Sequence, residues 1–128
     1  METEEILSLI RRYVDLSINQ NNDPEPAVAL AKGGEEVLIC IDKHIDTFIG
    51  LQRFWVYALA RLVARDQHRR SEFLALRLYR EDDLRCLILI KGFLKLELTP
   101  EQASQYFSSS ATFKHPTARK IASELARR

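Results

Sequence analysis

The stretch EEVLICIDKHIDTFIGLQRFWVYALARLVARDQH, residues 35–68, carries the strongest structural signal in the chain. Within it Leu38, Ile41, Ile45, Phe48, Gln52, Trp55, Leu59 and Leu62 follow one another at alternating steps of three and four residues. On a helix of 3.6 residues per turn those steps line up one face, the seam of a coiled-coil-like helix. Gly50 falls inside the run and costs about 1 kcal/mol relative to Ala in a helix, yet the register continues across it. The spacing predicts one long helix, or two collinear helices bent at Gly50, over residues 35–68.

Outward from that run the signals are local. On the N-terminal side Thr3 can cap a helix whose first turn holds Glu4 and Glu5, acids that suit the positive end of a helix dipole. Ile6, Leu9, Ile10 and Tyr13 then recur with helical period, until Asn19-Gln-Asn-Asn-Asp23 stops them. Residues 19–34 read equally as a linker or as a short helix opened by Asp23-Pro24 and closed by Gly33-Gly34. On the C-terminal side Gln67–Ser71 ends the long run and Ser71 caps a further segment. Asp82 or Asp83 starts the next helix, with Leu84, Leu87, Ile88 and Leu94 on one side. Thr99-Pro100-Glu101-Gln102 is a capping box with Pro at the first helical position. A last helix starts near Pro116, with Ala118, Ile121, Ala122 and Leu125 inward and Arg119, Lys120, Arg127 and Arg128 outward.

The expected fold class is therefore all-α: a compact bundle of about five to six helices with one long central helix, in a single helical domain over residues 1–128. An α+β fold is the alternative, because Val37–Ile41 is rich in β-branched residues and residues 74–78 and 94–98 alternate with period two. The 128 residues are enough for a hydrophobic core without metals or disulfides. Four Gly and four Pro are few for a turn-rich all-β chain. Cys40 and Cys86 sit in apolar runs and read as buried thiols. No run of 18 apolar residues is long enough to span a membrane. The acidic start lacks the pattern of a signal peptide, which makes a cytoplasmic protein the expectation.

Net charge is only +1, but it is unevenly spread. Residues 1–46 carry four basic and ten acidic groups, residues 53–80 seven Arg against two acids, and residues 102–128 five basic groups against Glu124. Asymmetry of this kind marks an interaction surface.

No residue pattern points to catalysis, a cofactor or a metal. Asp42, His44 and Asp46 diverge on a helix, since positions two apart point away from each other. Gly33-Gly34 lacks the Lys-Ser/Thr of a phosphate loop, and no Ser sits in a nucleophile elbow. An enzymatic reading would have to rest on His44 or His115.

The arginines are more informative. On a continuous helix Arg53, Tyr57, Arg61, Arg65 and His68 form a stripe opposite the seam, about 22 Å long at roughly 1.5 Å per residue. Arg69 and Arg70 extend it. Arg matches phosphate with paired bonds, and an exposed Tyr gives a stacking face. A second basic cluster, Lys114, His115, Arg119 and Lys120, surrounds the start of the last helix and reads as an anion site, with the hydroxyls of Ser108–Thr112 beside it. The competing reading of both is a solvated or internally paired face.

These features predict a non-enzymatic helical subunit of a nucleoprotein complex. It would contact a nucleic-acid backbone, DNA or RNA, without sequence readout. In size, helical content and charge layout the chain is similar to the small subunits of CRISPR effector complexes; no residue motif carries the likeness. The alternative is a protein–protein adaptor or homo-oligomer, in which the acidic N-terminal part of one copy meets the basic C-terminal part of another.

Overall fold

A computed structural model describes residues 1–107 and 112–128. The all-α reading holds: eight α-helices and no strand occur among the described residues. In order they are α1 (Thr3–Ile18), α2 (Glu25–Gly33), α3 (Glu35–His44), α4 (Leu51–Val63), α5 (Gln67–Arg80), α6 (Leu84–Glu97), α7 (Pro100–Tyr106) and α8 (Pro116–Arg127). Residues 19–34 resolve as a turn followed by the short helix α2.

The long central helix is the main correction. Its run divides into α3, a 3₁₀ turn over Ile45–Thr47, and α4, and α3 packs against α4 rather than continuing into it. Phe48 is extended, and Gly50 has φ +54°, a conformation an L side chain enters only with strain. Gly34 takes the same φ at the start of α3. The turn is held from α4, where Arg53 Nη1 donates to the Phe48 carbonyl at 2.9 Å. Residues 45–50 do not advance by helical steps, so the phase set by Leu38 and Ile41 is lost before α4 begins. Val56, Leu59, Ala60 and Val63 are buried there, on an arc centred about 90° from Trp55. Trp55 is only half-buried, and Leu62 is 57% exposed.

Where the sequence reads as one domain, internal contacts group the chain into two compact units, Met1–Asp66 and Gln67–Arg128. In the N-terminal unit α1 packs on α2, α3 and α4, and α2 packs on α3 and α4. The core is apolar, with Ile10, Leu30, Ile41, Ile45 and Leu59 fully buried. The first helix ends in a Schellman motif: Gln20 has φ +57°, its N–H donates to Ser17 O, and Asn21 N–H donates to Leu16 O.

In the C-terminal unit α5 packs on α6 and α8, and α8 also packs on α6 and α7. The helix starts expected at residues 83, 99 and 116 are all present. Asp83 caps α6 by accepting the N–H groups of Arg85 and Cys86. Thr99 and Gln102 make the reciprocal capping box of α7. The inward face of α8 is Ala118, Ile121, Ala122 and Leu125, as its spacing predicts. Gln67–Ser71 differs from expectation, because it opens α5 instead of ending a helix. Ser71 lies buried within α5 and donates to Glu97 Oε2 at 2.9 Å. Leu84 and Ile88, expected on the same side of α6 as Leu87 and Leu94, face outward; Cys86, Leu87, Ile90 and Leu94 are its buried residues. Cys40 and Cys86 are buried free thiols, and burial raises the pKa of Cys40.

Candidate nucleic-acid interface

The division into units also divides the charge. The N-terminal unit has seven basic and eleven acidic residues, net −4, and the C-terminal unit twelve and seven, net +5. The basic character of the chain therefore belongs to α5–α8.

The stripe expected on the central run is not continuous. Arg53, Tyr57, Arg61 and Arg65 belong to the N-terminal unit, and His68, Arg69 and Arg70 to the C-terminal one. Two of its members are corrected outright. Tyr57 is 0% exposed, so its ring packs in the core and offers no stacking face. Arg53 is half-buried and spends a guanidinium nitrogen on the Phe48 carbonyl. The change of phase before α4 causes both: it turns the side once expected outward toward α1 and α2. Arg61 and Arg65 are exposed, and Arg65 Nη2 reaches the Ala31 carbonyl at 3.4 Å.

At the start of α5, His68 and Arg69 are exposed, with His68 Nε2 lying 3.8 Å from Glu72. Arg70 turns inward. Its Nε donates to Oε1 of Glu97, a carboxylate whose side chain is 5% exposed and which also holds Ser71. Gln67 completes the clasp by donating to the Glu97 carbonyl. This group ties the start of α5 to the end of α6 and lies on a polar cavity of about 320 Å³, lined also by Gln102, Gln105 and Tyr106. One turn before α6, buried Arg77 and Glu81 approach to 3.7 Å, and Glu81 Oε2 accepts the N–H groups of Asp82 and Asp83.

The second expected cluster is exposed in part. Lys114, Arg119 and Lys120 are exposed. The anion site at the helix start is not open, however. His115 Nδ1 already accepts the Thr117 N–H at 3.0 Å, and Ala118 N–H donates to the His115 carbonyl. The capping nitrogen occupies the Thr117 N–H, which is therefore not open to an anion. Lys114 Nζ pairs with Asp82 at 2.7 Å. The part of the Ser108–Thr112 loop at residues 108–111 lies outside the described residues; Thr112 is exposed.

The outer face of α8 is the cationic surface that remains. Arg119, Lys120 and Arg127 share an arc of about 100° opposite the buried one and span about 12 Å along the axis. Among the described residues nothing pairs with the Arg119 guanidinium or the Lys120 ammonium. Glu124, the acid of this helix, is drawn aside. The hydrogen bond and charge of Lys91, at 2.6 Å, hold its carboxyl below the usual glutamate range. Arg127 is braced by Ser123 Oγ and Ser123 O, and it also rims a cavity of about 430 Å³ with Lys91, Lys95 and Arg128. Arg128 donates to the carbonyls of Lys95 and Leu98, closing the C-terminal end of α6. Lys95 and Arg127 are left as the cations on the cavity's edge, and Leu125 forms part of its wall.

Among the described residues no group of His, Cys, Asp and Glu is placed to hold a metal ion. Neither His44 nor His115 lines the two cavities. His44 Nε2 is buried without a hydrogen-bond partner among the described residues. No described helix is long and apolar enough to cross a membrane. No family model, curated protein or solved structure matches this chain.

Proposed function

We propose that the chain is a non-catalytic helical subunit of a nucleoprotein complex whose C-terminal unit holds a nucleic-acid backbone. One observation carries the reading: Arg119 and Lys120 are exposed on the outer face of α8 with no partner among the described residues, and Arg127 continues that face into a cavity edged by Lys95. The band runs about 12 Å, long enough to meet more than one phosphate of a strand. It lacks acids except Glu124, which Lys91 already engages. Cations presented this way recognise phosphate regardless of base, and their affinity falls with salt as counterions are released. The loss of Tyr57 as a stacking ring moves the contact from the centre of the chain to its last helix.

The test is fluorescence anisotropy of labelled single-stranded and duplex DNA and RNA over a salt series. The triple variant Arg119→Ala/Lys120→Ala/Arg127→Ala should bind at least tenfold more weakly. Its log–log salt slope on duplex should be shallower by about 2–3, following about 0.9 per phosphate contact. Arg61→Ala/Arg65→Ala, in the acidic unit, should change little. Equal affinity and slope for the triple variant and the parent would sink the reading.

A further inference from the structure

We infer that the chain self-associates head to tail, with α3 of one copy lying on the outward face of α6 of another. Two exposed helix faces of opposite character support this. On α6, Leu84, Ile88 and Leu96 are 54%, 60% and 76% exposed, although leucine and isoleucine usually lie inside. They stand at steps of four and eight residues on one row of the helix, about 18 Å long. The missing step is Gly92, also exposed, with open space where a Cβ would stand. Arg85, which also pairs with Asp83 at 3.4 Å, and Lys95 share this face, with Lys91, paired with Glu124, at its edge. The face is thus an apolar row with a notch in it and cations on both sides.

The outward face of α3 has the reverse arrangement. Ile39 is 57% exposed at its centre, with Glu35 and Glu36 one turn before it and Asp42 and Lys43 about one turn after; Glu36 also pairs with the N-terminal ammonium at 3.3 Å. An apolar side chain flanked by three acids and one lysine, net negative, complements an apolar row edged by cations, and the open space at Gly92 leaves that row uninterrupted by a side chain where Ile39 can sit. Ile39 and Ile88 are each more than half exposed. Joining two different surfaces makes the contact heterologous, the kind that repeats from copy to copy into rings or rows. A ten-residue helix on a fourteen-residue helix is at the small end of specific interfaces, so the association is weak and concentration-dependent.

Sedimentation velocity of the full chain without nucleic acid tests this, and its outcome does not depend on the role of α8. The parent chain should form larger species as concentration rises at low salt, and these should dissociate at high salt. Ile39→Arg alone should stay monomeric, and so should Leu84→Gln/Ile88→Gln alone. All three positions are on the surface, and helical circular dichroism should match that of the parent. The decisive arm mixes the two variants. The first keeps an intact α6 face and the second an intact α3 face, so the mixture should form a one-to-one dimer and grow no further. A parent chain that is monomeric at every concentration overturns the inference. So does an Ile39→Arg variant that still self-associates, which would mean an α6–α6 contact, and so does a mixture that stays monomeric.

Discussion

The two units are each built from four helices, but their interiors differ. In the N-terminal unit the buried side chains are apolar, and helix breaks rest on backbone conformation at Gly34 and Gly50. In the C-terminal unit the interior also holds Ser71, Arg77 and Glu81, the buried polar and charged side chains among the described residues. Glu97, close to fully buried, anchors Arg70 and Ser71 there. The difference separates cohesion from positioning. An apolar core rewards any close packing, whereas a buried ion pair adds little net stability but penalises arrangements that separate its partners. The unit that carries the proposed binding face is the one whose helix junctions are fixed by charge.

Three substitutions break or sharpen that contrast. The largest effect is expected from Glu81→Ala in the C-terminal unit. It removes the carboxylate that faces the buried Arg77 guanidinium and the acceptor of two N–H groups. Removing one member of a buried pair costs about 3–5 kcal/mol, measurable as a fall in denaturant midpoint. A loss under about 1 kcal/mol, the scale of surface ion pairs, would remove charge as the distinguishing feature of this unit.

Leu59→Ala in the N-terminal unit leaves a cavity in an apolar core and should cost about 2–5 kcal/mol. That loss should not vary with pH through the acid range, because no titrating group is removed.

The smallest effect is expected from Asp83→Ala, which deletes the cap of α6 and should cost about 1 kcal/mol at neutral pH. Burial pulls the Asp83 pKa up, but hydrogen bonds from the Arg85 side chain and the Cys86 and Arg85 N–H groups outweigh it. The net shift is downward. A carboxyl with a lowered folded-state pKa contributes stability that is present above its unfolded value and disappears as pH falls through the folded one. The gap between parent and Asp83→Ala should therefore close as pH drops below the ordinary aspartate range, as thermal melts at stepped pH would show.

Much of this fold was legible because its causes are local. Asp83 and Thr99 accept N–H groups two or three residues ahead, so their caps can be read from neighbouring letters. The inward face of α8 follows from an uninterrupted helical period. For the same reason its outward cations, Arg119, Lys120 and Arg127, could be placed in advance. The central run misled because periodicity assumes that every residue advances the helix by the same angle. The 3₁₀ turn and Gly50 break that assumption while leaving the three-four spacing of the letters intact.

The sequence by itself determined that the chain is helical, where α6, α7 and α8 begin, that Cys40 and Cys86 are core thiols, and that charge is polarised along the chain. Tertiary structure decided the burial of Tyr57, the capture of Arg70 by a carboxylate 27 residues away, and the exposure of Leu84, Ile88 and Leu96. Each of these depends on which neighbour stands opposite a side chain. Helical period reports only that an apolar or cationic face exists; whether it meets a core, a carboxylate or open solvent is set by how distant helices pack.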